Sequence, residues 1–284
     1  MMGYIITNCC SLGPRQLCAA MNAAFSDYVV PLSLTLEQFE HFQWQRGFVA
    51  AQSFVALEGD DIAAFWFSGL PDPHNGNRAY TLSVGTRPEH RRNGLSRRLL
   101  NAVVDAQSQH GTSGLQLEVI TSNSAAISSY ESFGFCRHRS LRVLKLETEP
   151  SAAKQVHPVR PLDLSDLPES DTGFFDAAPT PQNSRTALRA LTPDFQLLGV
   201  KENAELLGWG AVYPDGAVAQ MAVAEKVRRQ GIGSAILRAL WHAADQQSLT
   251  FVNVDAAATG VNAFLDRAGA EELLRQYEMR LDLT

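Results

Sequence analysis

Residues Thr81 to Ala106 read TLSVGTRPEHRRNGLSRRLLNAVVDA, and residues Ala219 to Ala244 read AQMAVAEKVRRQGIGSAILRALWHAA. Each stretch is an apolar strand, a basic turn holding a glycine, and a long helix with an apolar stripe. A further strand follows each one, LQLEVI (Leu115 to Ile120) and LTFVNVD (Leu249 to Asp255). Upstream of each lies a pair of strands: Ser53 to Leu70, turning at Glu58 to Asp61, and Phe195 to Tyr213, turning at Lys201 to Ala204. Glycine, asparagine and aspartate between apolar runs mark those turns. The first copy is preceded by two helical stretches, Pro14 to Phe25 and Thr35 to Gln45, broken at Tyr28 to Pro31, whereas the second has a shorter lead-in. A polar, proline-bearing segment from Glu147 to Pro161 separates the copies and reads as a linker. The chain is therefore expected to form domains over residues 1–148 and 157–284. Strands joined by tight turns pair antiparallel. The expected class is α/β in the α+β sense, with two like domains, each a mixed, mostly antiparallel sheet flanked by helices.

Composition agrees with this organisation. The 284 residues are enough for roughly two domains of about 150 residues, and 45% hydrophobic with 19% charged residues is the balance of a chain that packs a core. Twenty-four basic against 30 acidic residues give a net charge of −6, so the molecule as a whole does not attract a polyanion and any anion site must be local. The cysteines Cys9, Cys10, Cys18 and Cys136 fit neither a disulfide framework nor a zinc site, which favours a reducing, cytoplasmic setting. No basic leader or run of about 18 apolar residues is present, so no export and no membrane span is expected. The seven histidines lack the i, i+4 pairing of a helical metal site, and no metal is expected.

The basic turns carry the chemistry. A helix N-terminus leaves about four N–H groups without intrahelical partners and bears partial positive charge, which suits a phosphate. In Arg91-Arg92-Asn93-Gly94-Leu95-Ser96 the bare Gly94 lets the backbone approach an anion, and the small Ser96 leaves room and can donate a hydrogen bond. Arg228-Arg229-Gln230-Gly231-Ile232-Gly233 has the same plan, with glycine in the place of Ser96. Neither turn is a nucleotide P-loop, since no lysine followed by serine or threonine closes it, and neither is a dinucleotide GxGxxG fingerprint. A pyrophosphate on another carrier is the better fit.

Arg-x-x-Gly-x-Gly/Ala/Ser after a strand ending in Val-x-x-x-Pro resembles the coenzyme A pyrophosphate loop of the GNAT superfamily of N-acetyltransferases. The first copy matches it with Val84, Pro88, Arg91, Gly94 and Ser96, and the second with Val223, Arg228, Gly231 and Gly233 but without the proline. Asn123-x-x-Ala126-x-x-x-Tyr130-x-x-x-Gly134-Phe135 resembles the family's second motif; in GVNAFLDRAGA (Gly260 to Ala270) Gly269 and Ala270 stand for Gly134 and Phe135, but Leu265 replaces Tyr130. The resemblance spans nearly all of both halves, strongly in the first and in part in the second.

This resemblance implies acetyl-CoA as cofactor and direct attack of an amine on the acetyl carbonyl, so the protein must deprotonate the amine, stabilise an oxyanion and protonate the leaving thiolate. It implies that the strand Tyr80 to Val84 splays from Leu115 to Ile120, exposing backbone for the pantetheine and an N–H near Val84 for the oxyanion. Tyr130, a phenol of ordinary pKa near 10, is the expected general acid; taken alone it would be a tyrosine packed between Ile127 and Phe133. Asn123 either caps a helix or bonds the cofactor. No general base declares itself. Glu118 could act through a water or point into solvent or an ion pair, and Glu58 and Asp27 are weaker candidates. The family places the segment Phe25 to Pro31 at the wall of the acceptor pocket. The second copy, lacking the phenol, is either architectural or draws its proton from elsewhere, for example Tyr277. The expected acceptor is a small-molecule amine or a peptide amine, and the expected state a monomer or homodimer. Two rivals remain at this level. One is a non-catalytic acyl-CoA-binding module. The other is nucleic-acid binding through Arg91, Arg92, Arg97 and Arg98, for which neither a reading helix nor stacking aromatics is evident; no nucleic-acid partner is expected.

Overall fold

The computed structural model describes residues 3–27, 32–151, 157–192 and 194–283; the expected break at Tyr28 to Pro31 and the middle of the expected linker, residues 152–156, lie outside them. The chain forms two compact units. Unit 1 comprises Met1–Glu118, Ser124–Arg137 and Met279–Thr284, and unit 2 comprises Val119–Asn123 and His138–Glu278.

Unit 1 runs β1 (Ile5–Asn8), α1 (Pro14–Ala24), α2 (Leu36–Gln45), β2 (Phe54–Glu58), β3 (Asp61–Asp72), β4 (Arg78–Thr86), α3 (Leu95–Ser108), β5 (Gly114–Ile120) and α4 (Ser124–Ser132). Strands β1 to β4 pair antiparallel in sequence order, and β4 pairs β5 in parallel. The remaining elements are β6 (Cys136–Leu146), β7 (Arg160–Pro161), α5 (Arg185–Ala190), β8 (Gln196–Glu202), β9 (Glu205–Val212), β10 (Ala217–Val223), α6 (Ile232–Ala243), β11 (Leu249–Asp255), α7 (Thr259–Ala268) and β12 (Glu271–Asp282). In unit 2, β7 to β10 repeat the antiparallel order, β10 pairs β11 in parallel, and β6 pairs antiparallel with the far side of β11. Each unit is thus a mixed, mostly antiparallel sheet flanked by helices, the class expected from sequence. The units and the linear repeats are different divisions of the chain: residues 138–146, which follow the first repeat, belong to unit 2, and residues 279–284, which end the second, belong to unit 1.

The helix after each basic turn is fixed by one stripe. Leu95, Leu99, Leu100 and Val103 are the buried face of α3, and Ile232, Ile236, Leu237 and Leu240 hold the same four positions in α6. Repeats of i, i+4, i+5 and i+8 lie on one side of a helix, so both helices lay a branched apolar face on the sheet. In unit 2 a Cβ added to Gly210 would stand 2.6 Å from a Leu240 methyl, so β9 uses glycine to let α6 approach. The four cysteines are unpaired thiols. No helix among the described residues is long and apolar enough to cross a membrane.

Candidate active site

The basic turns fold alike. Arg92 and Gly94 take left-handed backbone angles, φ 65° and 69°, and Arg229 and Gly231 repeat them at 62° and 92°. Alternating handedness turns successive N–H groups toward one side and makes an anion-binding concavity. It opens directly onto the first turns of α3 and α6, which no side chain caps, so their leading N–H groups remain available. Asn93 to Ser96 and Gln230 to Gly233 therefore present mainly backbone. Leu95 and Ile232 point inward as buried anchors, and the Asn93 amide braces the turn by donating to His90 O at 3.1 Å. Arg92 and Arg229 are exposed and have no hydrogen bond or ion pair among the described residues.

The first arginine of each turn faces the other way. Arg91 Nε donates to Thr86 O at 3.2 Å, and its Nη atoms donate to both oxygens of Asp27, at 2.6 and 2.7 Å, and to Ala24 O. Arg228 donates to Val223 O, to Asp176 and to Phe174 O in the same pattern. Each is a clamp that ties the end of a strand to the segment leading into the sheet. The clamps also align the two units: Val223 is the counterpart of Thr86, not of Val84, and Met221 takes the place of Val84 when counted back from the arginine. Sequence alone paired the two valines because both close an apolar run.

Beyond the clamps the parallel strands part. The β4–β5 register covers Arg78↔Gly114, Ala79↔Leu115 and Tyr80↔Gln116 and then ends, although β4 continues to Thr86 and β5 to Ile120. The β10–β11 register ends after Ala217↔Thr250 and Val218↔Phe251. This is the splay expected from the resemblance, and it occurs in both units. Glu118, two residues past the last pair, accepts a 2.5 Å hydrogen bond from the Tyr80 hydroxyl. Tyr130, half-buried on α4, meets Trp66 edge-on at 6.1 Å between ring centres and Phe135 at 5.7 Å. In unit 2 the same steps from the last pair and along the helix bring Val218, Asn253 and Leu265 to the places of Tyr80, Glu118 and Tyr130; counted back from the clamped arginine, Ala217 takes the place of Tyr80, so neither count gives unit 2 a phenol. A cavity of about 990 Å³ lies there, lined by Arg228 to Gly231, Gly233, Val218, Asn253 and Leu265 among others. A carrier with a pyrophosphate at one end and an amide-bearing arm fits this geometry: a concave run of backbone N–H groups, followed by strand edges free of each other.

Two family models cover the two repeats: the acetyltransferase (GNAT) family matches residues 18–135, and a GNAT acetyltransferase domain matches residues 165–269. The ribosomal protein bS18-alanine N-acetyltransferase of Escherichia coli (strain K12) is 32% identical over 113 residues, which are 37% of this chain and 74% of that protein. The chain belongs to the GNAT acetyltransferase family. N-alpha-acetyltransferase 30 of Schizosaccharomyces pombe is 34% identical over 129 residues, 45% of this chain and 80% of that one. A solved tandem GNAT protein from the clavulanic acid biosynthesis pathway shares the fold over 99% of this chain and 98% of its own, with a TM-score of 0.69 at 15% identity. This chain is thus a tandem GNAT acyltransferase, and acetyl-CoA is the co-substrate of its family.

Other residues of this acetyltransferase stand apart from the loops. Asn123 falls in unit 2, where its N–H donates to Ile120 O at 2.9 Å. Asp27, a candidate base in sequence, has both carboxylate oxygens on Arg91, whose hydrogen bonds hold it below the usual range. Glu58 lies 3.8 Å from His90. Tyr277 is on β12 and does not line the cavity. Phe25 packs edge-on against Phe65, closing core, and the rest of the expected pocket wall, residues 28–31, lies outside the described residues. Tyr80, Asp176 and Met221 escaped sequence reading. For Tyr80 a signal existed: the single phenol of its strand, beside a strand that carries a lone acid.

Proposed function

We propose that unit 1 transfers the acetyl group of acetyl-CoA to a primary amine, with Glu118 taking a proton from the amine, directly or through a water, and Tyr130 giving one to the departing thiolate. Bound acetyl-CoA would supply the activated thioester. The backbone of Asn93 to Ser96, with Arg91 clamping the turn and Arg92 at its rim, would hold the pyrophosphate, and the free edge of β4 around Val84 the pantetheine amides. In unit 2 the turn Arg228 to Gly233 and the edge around Val223 would hold a second acetyl-CoA. Asn123 would serve by shaping the turn into α4.

One observation carries the assignment of chemistry to unit 1. Both units have the turn and the parted strands, but only unit 1 has ionisable side chains at the two positions that must move protons, Glu118 and Tyr130, where unit 2 has Asn253 and Leu265. A cavity without them is a place to bind. The cavity in unit 2 favours a second reading for that half alone, as an acyl-CoA-binding domain without turnover.

The acceptor is a small-molecule amine or a peptide amine. The Escherichia coli relative is named for the alanine of a ribosomal protein and the Schizosaccharomyces pombe relative as an N-alpha-acetyltransferase, so a panel needs both small amines and short peptides with free N-termini. Release of free thiol from acetyl-CoA by the purified full chain is the measurement. Turnover in either arm, lost in Tyr130→Phe and Glu118→Gln, is the expected result. Undiminished turnover in Tyr130→Phe would remove the assigned acid, and no turnover with any amine, despite acetyl-CoA binding, would make the chain a binding module.

A further inference from the structure

A carboxylate that receives a proton from an amine must be ionised and held still. Glu118 is held from β4. The Tyr80 hydroxyl donates to Glu118 Oε2 at 2.5 Å, where the two strands part: Tyr80 is the last β4 residue in register with β5, opposite Gln116. Glu118 is two residues further along β5 and so on the face that Gln116 occupies. Tyr80 is only 6% exposed. Burial, and then the neighbouring Glu118 charge, push its phenol well above the ordinary value of about 10, so it keeps its proton and acts as a donor throughout the neutral range. The Arg46 guanidinium, just past the end of α2, lies beside the Tyr80 oxygen and rests over the Phe42 ring at 4.4 Å. Cation, phenol and carboxylate thus follow one another: Arg46 from the end of α2, Tyr80 from β4 and Glu118 from β5. A phenol that accepts from a guanidinium is a stronger donor to the next group in line.

We propose that Tyr80 is the positioning residue of the general base: its hydrogen bond to Oε2 fixes Glu118 and keeps the carboxylate ionised for taking the amine proton, directly or through a water, while Arg46 polarises the phenol. The inference rests on the reading of Glu118 as base. The proton passes from the amine nitrogen to Glu118, and Tyr80 keeps its own. Unit 2 has neither the phenol nor the carboxylate: Val218 by strand register, or Ala217 counted back from Arg228, and Asn253 stand at the matching positions.

The test is the pH dependence of kcat with acetyl-CoA and the amine turned over fastest in the panel, so that the titration of the amine itself is common to every variant. A carboxylate that loses a hydrogen-bond donor binds its proton more tightly, so Tyr80→Phe is expected to move the acid limb upward by roughly one pH unit. KM for acetyl-CoA should stay within about twofold, since a residue acting on the proton transfer leaves cofactor binding alone. Arg46→Met is expected to move the limb the same way by less. Neither substitution should move any limb that remains in Glu118→Gln. A Tyr80→Phe profile that superimposes on the wild type, or a shift that persists in Glu118→Gln, overturns the proposal. Wild-type turnover in Glu118→Gln removes the base assignment itself and this inference with it; loss of turnover there with an unmoved limb in Tyr80→Phe removes only the inference. Circular dichroism checks folding, and if Tyr80→Phe does not fold, an unmoved limb in Arg46→Met overturns the proposal.

Discussion

Units 1 and 2 share a basic glycine turn, a clamped arginine and a pair of parting parallel strands, yet they differ at three side chains on the parting strands and the helix that follows them. Unit 1 has Tyr80, Glu118 and Tyr130; unit 2 has Val218, Asn253 and Leu265. The shared parts are backbone devices, set by glycine, helix starts and strand register, and they survive wide changes of side chain. The differing parts include Glu118 and Tyr130, the two side chains proposed to move protons. On the proposed reading, binding machinery and proton-transfer machinery are separable in this fold, the first kept twice and the second once.

The strongest way to break that comparison is to disable each half by its own weak point. Loss of a general acid typically costs about 10² to 10⁴ in rate, so Tyr130→Phe should lower kcat by that order. Gly231→Val, which blocks the turn of unit 2, should leave kcat within about twofold. Steady-state thiol release measures both. The opposite pattern, with turnover lost in Gly231→Val and kept in Tyr130→Phe, would move catalysis to unit 2.

Leu265 answers to a different physics. It is fully buried in the core that joins Ile232, Ile236, Leu240 and Phe251, whereas Tyr130 is only half-buried. Leucine to alanine at such a site costs about 2 to 5 kcal/mol. Leu265→Ala should therefore lower the melting temperature clearly while kcat of the protein that remains folded is kept. Tyr130→Phe should do the reverse. A Leu265→Ala variant that melts like the wild type would mean that α7 is not a core element of unit 2.

The glycine turns and the helices behind them were legible because each is written locally: Gly94 and Gly231 precede helices that begin at the next residue, and the turns of both hairpins fall where glycine, asparagine and aspartate predict them. What depends on distant partners was not legible. The direction of Arg91 and Arg228 is decided by Asp27 and Asp176, which lie 64 and 52 residues away in sequence, and no local pattern announces such a pair. Val84 and Val223 look equivalent by residue type, but the carbonyls that the arginines hold show the copies offset by two. The assignment of residues 138–146 to unit 2 and of 279–284 to unit 1 is a matter of strand pairing over long separations, where alternation of apolar residues identifies a strand but not its neighbour. The trio of Tyr80, Glu118 and Tyr130 was half legible, since Tyr130 lies in a motif while the tie of Tyr80 to Glu118 exists only in space.

A valine at a left-handed glycine position carries a strain of about 1 to 2 kcal/mol, worth roughly tenfold in an equilibrium constant. Wild-type chain is expected to bind two molecules of acetyl-CoA by calorimetry. Gly94→Val should weaken one and raise the KM for acetyl-CoA by a similar factor, and Gly231→Val should weaken the other and leave that KM unchanged. A single binding event in the wild type, unaffected by Gly231→Val, would reduce unit 2 to architecture despite its cavity.

The smallest expected effects separate the two clamps. Asp27 and Asp176 hold equivalent arginines, but the Asp27 side chain is 50% exposed and that of Asp176 17%. Asp176 also accepts the Val261 N–H at 2.9 Å in the first turn of α7, a second bond that Asp27 lacks a counterpart for among the described hydrogen bonds. Exposed ion pairs contribute little, because water and salt screen them, whereas removing a side chain that satisfies a helix N-terminus costs about 1 kcal/mol. Asp176→Ala should therefore lower the melting temperature by a few degrees, and Asp27→Ala by less. The pH dependence has a definite sign. The hydrogen bonds from Arg91 place the folded-state pKa of Asp27 below its unfolded value, so whatever the pair contributes is complete above about pH 4, the ordinary value for aspartate, and is lost as pH falls through the lowered folded value. Melting curves of the wild type and of Asp27→Ala should run parallel from pH 5 to 8 and converge below pH 4. Curves that diverge instead in the neutral range would show that Asp27 is not held ionised by Arg91, and that the clamp of unit 1 is not the equivalent of the one in unit 2.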